Sequence, residues 1–159
     1  SRIGSHYFRL SPAWGGSCFP KDLIEVNNVY EDGKVLLPLI SNIIESNDIQ
    51  SSWTVEKLIS IFNAENMNSI LLVGAAFKED TDDLRNSPTL DIYSKLLEKN
   101  VDTIIYDEMV ELEAYNSLES LEDLNEKTLV VLMYPVKATL MDKIQTVISK
   151  TNSTLYTPW

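Results

Sequence analysis

The residues best suited to chemistry lie in one short run, Trp14-Gly15-Gly16-Ser17-Cys18-Phe19-Pro20-Lys21-Asp22, which holds the only cysteine of the chain. A thiol becomes a nucleophile as the thiolate, and a helix N-terminus or a cationic neighbour raises the thiolate population. Pro20 suits the first turn of a helix predicted from about Lys21 to Tyr30, and Lys21 supplies a charge beside the thiol. A lone cysteine is more often a small buried hydrophobe, but the Gly-Gly and Pro-Lys-Asp flanks favour a reactive one. With no second cysteine at Cys-x-x-Cys spacing, a thiol-disulfide relay is a weak alternative.

A second informative stretch runs from Val73 to Pro88, Val-Gly-Ala-Ala-Phe-Lys-Glu-Asp-Thr-Asp-Asp-Leu-Arg-Asn-Ser-Pro. It follows a predicted strand and leads into a helix, the place where doubly wound folds bind nucleotides. Gly74 stands alone where a dinucleotide fingerprint needs three glycines, and no Walker lysine follows. Asp80, Asp82 and Asp83 lack the turn glycine and terminal glutamate of a calcium loop. They read as a solvated loop partnering Lys78 and Arg85. No metal site is expected, and His6, the single histidine, is too isolated to be a ligand.

Around these stretches, 44% hydrophobic and 23% charged residues describe a soluble globular chain. A formal charge of −11 from 13 basic and 24 acidic residues argues against a nucleic-acid partner. No long apolar run or secretory leader is present, so no membrane association is expected. A working thiol suits a reducing cytoplasm.

The elements that must position the two stretches follow from periodicity. Residues 1–16 are polar, aromatic and irregular, and begin as if cut from a longer chain. A long helix is predicted from about Leu36 to Asn63, with a break near Ser51-Ser52 as the alternative. After a polar break at Asn66 to Asn68 come strands at Ser69 to Ala75, Thr103 to Tyr106, Lys127 to Met133 and Thr154 to Tyr156. Helices are expected from the Ser87-Pro88 cap to about Lys99 and from Val136 to Ser149, with Glu108 to Glu126 weakly helical at best. The fold class is α/β, a long central helix followed by a small Rossmann-like parallel-sheet domain. The division falls into residues 1–65 and 66–159.

Several of these runs together resemble the UDP-glucose and GDP-mannose dehydrogenase family. They are Arg2-Ile3-Gly4, Gly15-Gly16-Ser17-Cys18-Phe19-Pro20-Lys21-Asp22, Asn47-Asp48-Ile49-Gln50, Ala76-Phe77-Lys78, Thr81-Asp82-Asp83 and Arg85-Asn86-Ser87-Pro88. The resemblance covers the end of the family's central domain, whose long helix builds a homodimer, and its C-terminal UDP-binding domain. The family's NAD-binding domain, with the upstream glutamate, threonine, lysine and asparagine of the active site, has no counterpart in these residues. The chain alone is therefore expected to be inactive.

The resemblance implies oxidation of a UDP-hexose, such as UDP-glucose or a UDP-N-acetylhexosamine, to the uronic acid with NAD as cofactor. Cys18 matches the nucleophile that forms a thiohemiacetal and then a thioester, and Asp22 the residue that assists water or proton handling. Lys21 and Arg85 match NAD contacts. Lys78, the loop from Tyr7 and Phe8 through Trp14 to Gly15, and the amides of Gly15 and Gly16 match contacts to the nucleotide-sugar. Arg2 matches an arginine that reaches the neighbouring subunit's substrate. The chain departs from the family's usual pattern at Tyr134-Pro135-Val136-Lys137 and at Leu155-Tyr156-Thr157-Pro158-Trp159. A truncated, inactive UDP-sugar-binding or dimerisation module is the alternative reading.

Overall fold

The computed structural model describes residues 10–32 and 38–158, with side chains described for residues 10–28 and 38–158. Helix α1 spans Phe19–Asp32, and helix α2 runs unbroken over Pro38–Ala64, about 40 Å at ~1.5 Å per residue. The first helix thus starts before Lys21, with Pro20 inside its first turn, where a missing N–H costs nothing. The break considered at Ser51-Ser52 does not occur. Buried Ser51 faces the next helix, donating to the Asp91 carboxylate and accepting from Lys95 Nζ at 2.9 Å, so its hydroxyl is not left to compete with the helix backbone. Asn66, with φ of 52°, turns the chain beyond α2, and Met67 N–H closes that end on the Phe62 carbonyl at 3.0 Å.

Strand β1 (Ser69–Val73) is followed by α3 (Pro88–Glu98), β2 (Thr103–Tyr106), β3 (Thr128–Leu132), α4 (Ala138–Thr151) and β4 (Thr154–Tyr156). All three strand pairings are parallel, in the order β2-β1-β3-β4. The two central strands are buried at every position, as expected for strands covered on both faces. On one face Ile70, Leu72, Ile105, Leu129 and Val131 pack against α2 and α3 through Val55, Leu58, Ile92 and Leu96. On the other, Leu71, Val73, Val130 and Leu132 meet Leu140, Ile144 and Val147 of α4 and Leu121 beside it.

The C-terminal half of α2 is therefore part of the sheet's own core, which fixes the long helix to the α/β layer. Helix α3 begins as the sequence indicates, with Ser87 accepting from Thr89 N–H and Pro88 in the first turn. Between β2 and β3, the acidic stretch forms only a short 3-10 turn, Leu121–Asp123, capped by Ser120.

Candidate active site

Cys18 immediately precedes α1, is exposed, and accepts from Asp22 N–H on its carbonyl at 2.9 Å. Asp22 thus lies one helical turn beyond the thiol, as its spacing indicates. The side chains of Lys21 and Asp22 are exposed and form no ion pair among the described residues. Ser17 Oγ lies 3.7 Å from Cys18 Sγ, and the Trp14 ring meets Phe19 edge-on at a centroid separation of 4.8 Å.

The loop before Cys18 is set down on the loop between β1 and α3. A Cβ at Gly15 would lie 1.9 Å from the Asn86 carbonyl oxygen, and one at Gly16 2.9 Å from the Phe77 ring. Gly16 has φ of 96°, a left-handed conformation that glycine adopts readily. Asn86 Nδ2 donates to the Gly16 carbonyl at 3.0 Å. From the other side, Asn47 of α2 pairs with both main-chain groups of Trp14. It accepts from the N–H at 2.9 Å and donates to the carbonyl at 3.1 Å.

The facing loop carries the charges. Asp83 accepts from Arg85 Nε at 2.9 Å and Nη2 at 2.7 Å, and also from the Arg85 N–H at 2.9 Å. The guanidinium bond, then the backbone N–H, hold the Asp83 carboxyl down to about 2, below the usual 3.8. The Arg85 guanidinium is raised in turn, chiefly by its bond to Asp83 and that carboxylate's charge, with a smaller contribution from Cys18. Arg85 and the thiol therefore share one electrostatic neighbourhood. Lys78 does not partner the aspartates of its loop. It sits 5.3 Å above the Phe77 ring, and Asp80 pairs with Lys137 at 2.8 Å, a lysine brought from beyond β3 by the parallel sheet.

The strand order reverses between β1 and β3, and a cavity of about 170 Å³ opens beyond their C-terminal ends. Glu79, Asp80, Asp107, Glu108, Tyr134 and Lys137 line it. Its carboxylates dominate, and both neighbouring lysines are paired, Lys137 to Asp80 at 2.8 Å and Lys143 to Glu108 at 2.9 Å. Asp107 is already satisfied by its own chain, accepting from Ala75 N–H at 2.7 Å, Met109 N–H at 2.8 Å and Tyr134 O–H at 3.0 Å. The Tyr134 ring lies where a Cβ on Gly74 would come within 2.6 Å. Burial first, then the Asp107 charge, push the Tyr134 phenol well above its usual range. The charges around this crevice are thus paired within the chain, and Arg85 stands on the segment that meets the thiol loop.

Trp14, Gly15, Gly16, Cys18, Phe77 and Arg85 are thus drawn to one junction, with Lys78 beside it and Asp22 a turn away. Arg2, Tyr7, Phe8 and His6 lie outside the described residues. Asp107 was not singled out in the sequence, although its place directly after a strand is the one available signal. Asn47 and Asn86 lay within noted motifs without a role. Among the described residues no cluster of His, Cys, Asp and Glu is arranged to hold a metal ion, and no helix is long and apolar enough to cross a membrane.

The fold is a parallel α/β layer fused to a long helix, with a free cysteine at a glycine-rich junction between them. The family model for the UDP-glucose/GDP-mannose dehydrogenase UDP-binding domain matches residues 71–152, and that for the central domain matches residues 1–49. The chain belongs to the UDP-glucose/GDP-mannose dehydrogenase family. It is 36% identical over 101 residues to UDP-glucose 6-dehydrogenase of Rickettsia prowazekii, covering 63% of this chain and 23% of that protein. It is 36% identical over 115 residues to UDP-glucose 6-dehydrogenase 2 of Arabidopsis thaliana, covering 69% and 24%.

The chain therefore spans under a quarter of the length of these relatives. Among solved structures it resembles GDP-mannose dehydrogenase of Pseudomonas aeruginosa, with TM-score 0.75 and 21% identity over 99% of this chain and 39% of that one. It also resembles a UDP-D-ManNAc dehydrogenase of Pyrococcus horikoshii, with TM-score 0.74 and 19% identity over 93% and 35%. These two likenesses bear on the fold.

Proposed function

We propose that the chain is the part of an NAD-dependent nucleotide-sugar 6-dehydrogenase that carries the nucleophilic thiol and the nucleotide-sugar-binding domain. Its substrate is a UDP-hexose, such as UDP-glucose or a UDP-N-acetylhexosamine. The observation that carries this reading is the junction of the Cys18 loop with the β1–α3 loop, joined at Asn86 to Gly16 over 3.0 Å, in a chain of this family. On this reading residues 1–65 close the central, homodimer-forming domain and residues 66–159 hold the UDP-sugar. A nucleotide-sugar substrate and a free thiol suit a reducing cytoplasm.

Lys21 and Arg85 would help hold NAD, which would supply the hydride acceptor for the two oxidations. Lys21 is exposed and forms no ion pair among the described residues, and Arg85, braced by two bonds to Asp83, presents an exposed guanidinium, so both fit an anionic cofactor. Cys18 adds its sulfur to the C6 aldehyde carbon, and the carbonyl electron pair moves to oxygen to give a thiohemiacetal. Oxidation of that adduct leaves a thioester on Cys18, which water cleaves to the acid with return of the thiol. Asp22, one turn from Cys18, takes a proton as water adds. Lys78, stacked over the Phe77 ring with its ammonium free of any ion pair among the described residues, and Arg2, Tyr7, Phe8, Trp14, Gly15 and Gly16 complete the nucleotide-sugar site.

Titration calorimetry of the chain with UDP and UDP-glucose tests the binding half of this reading. Saturable heat is expected, with affinity lowered at least tenfold in Lys78→Ala. The absence of heat at millimolar UDP would refute an intact pocket in residues 66–159.

A further inference from the structure

Beneath the thiol loop lies a cavity of about 230 Å³ lined by Trp14, Pro20, Ile24, Ile44, Asn47 and Pro88, among others. On that side the loop is not closely packed, whereas Gly15 and Gly16 lie tight against Asn86, Pro88 and Phe77. The main chain from Pro12 to Gly16 is also tied by side chains that reach in from both neighbouring elements. Thr54 of α2 donates to the Pro12 carbonyl at 3.2 Å, and Asn47 holds both polar groups of Trp14 at 2.9 and 3.1 Å. Asn86 holds the Gly16 carbonyl at 3.0 Å, while its own carbonyl sits against Gly15. Asn47 and Asn86 are 39 positions apart in sequence and on different elements, yet they grip residues two apart.

Asn86 is suited to this task by its backbone as well as its amide. Its φ of 49° is left-handed, a conformation asparagine tolerates better than most residues, and it turns the chain out of the Arg85 segment into the Ser87 cap of α3. One neighbour of Asn86 is thus the guanidinium near the thiol, and the other is the cap of a helix rooted in the core. On α2, Ser51 is one turn beyond Asn47 and is linked to Asp91 and Lys95 of α3, with Lys95 Nζ 2.9 Å from Ser51 Oγ and 2.7 Å from Asp91 Oδ2. The two helix surfaces that supply the grip are themselves cross-tied.

We propose that Asn47 and Asn86 are positioning residues for Cys18, a pair of carboxamides that hold the thiol loop between the long helix and the β1–α3 loop. Neither needs to touch substrate. The proposal rests on the reading of Cys18 as the nucleophile for its significance, but its geometry is independent of any ligand. It accounts for Asn47 within the Asn47-Asp48-Ile49-Gln50 run and for Asn86 beside Arg85, two motif residues that the chemistry otherwise leaves without a role.

The test uses the chain without nucleotide. Backbone amide exchange is followed residue by residue in the unsubstituted chain and in Asn47→Ala, Asn86→Gly and Asn86→Asp; glycine and aspartate both accept the left-handed φ at position 86 while removing the donor. In parallel, a trifluoromethyl tag on Cys18 is observed by 19F NMR. Each substitution is expected to speed exchange at least tenfold at the Trp14 amide, the N–H of this loop that donates to Asn47. Amides of β1 and β3 should stay within twofold, and the tag's resonance should move toward its value in the unfolded chain.

Unchanged exchange at the Trp14 amide, or an unmoved tag resonance, would overturn the proposal. So would equal acceleration in β1 and β3, since the asparagines would then only support global stability. Wild-type behaviour of Asn86→Asp with loosening only in Asn86→Gly would also overturn it, because backbone stiffness and not the amide would then be responsible. A chain that fails to bind UDP leaves this test standing, and a chain that binds UDP with an unaltered loop refutes the positioning role alone.

Discussion

Gly15→Ala puts the junction at the thiol to a direct physical test. An added Cβ would sit 1.9 Å from the Asn86 carbonyl oxygen, 2.9 Å from Pro88 Cδ and 3.0 Å from the Asn86 carbonyl carbon. The obstacle is main chain, so no side-chain rotation relieves it. An ordinary carbon-to-oxygen contact is about 3.3 Å, so the loops must part by about 1.4 Å. That movement stretches the 3.0 Å bond from Asn86 to Gly16 past hydrogen-bonding range. Overpacking costs about 1–3 kcal/mol and the lost bond about 1 kcal/mol. Replacing glycine returns about 0.4–1 kcal/mol through the unfolded chain. The net expectation is a loss of about 2 kcal/mol. With a urea m-value of about 2 kcal/mol per molar, the unfolding midpoint should fall by about 1 M. If the loop lifts off instead, exchange at the Trp14 amide, which donates to Asn47, rises while the midpoint holds. A variant as stable as the parent, with the Trp14 amide still protected, would refute the packing on which the junction rests.

Two further outcomes concern titration. Tyr134 is raised above the phenol value of 10.0 by burial first and then by Asp107, so the folded state keeps its proton after the unfolded chain has lost it. Its contribution is complete below about pH 10 and declines above it. Urea midpoints measured from pH 9 to 11 should therefore fall less steeply in Tyr134→Phe than in the parent, and parallel profiles would contradict the burial. Asp83 is held at about 2 by Arg85, so NMR should follow its carboxyl through a midpoint near pH 2. Its contribution to stability is present above 3.8 and lost as pH falls through that lower midpoint. In Arg85→Gln the midpoint should move toward 3.8 without reaching it if the backbone N–H at position 85 still donates. An unmoved midpoint would mean the guanidinium is not the principal cause.

What could be read from the sequence and what could not divide along a physical line. Strands β1 and β3 were legible because burial on both faces demands continuous apolar residues, as in Ile70-Leu71-Leu72-Val73 and Leu129-Val130-Val131-Leu132. The start of α3 was legible because Ser87-Pro88 carries its own local cap. Cys18 and its spacing to Asp22 were legible for the same reason, being one helical turn. Partnerships made by tertiary folding left no such trace. The distances from Trp14 to Asn47 and from Gly16 to Asn86 span 33 and 70 positions, and no local pattern links them. Asp80 met Lys137 instead of Lys78 because parallel strands bring successive loops to one edge of the sheet, where a lysine distant in sequence is the nearer one.

The glycines of the thiol loop have a cause within the chain itself. Gly15 and Gly16 suggested close approach of a ligand to the backbone, and the structure fills that approach with the chain's own Asn86 carbonyl and Phe77 ring. The two uses are compatible, since the closeness that seats the loop on the β1–α3 segment also keeps Cys18 in the field of Arg85. A side chain at Gly15 would push the loop off that segment, because its Cβ would meet the Asn86 main chain at 1.9 Å.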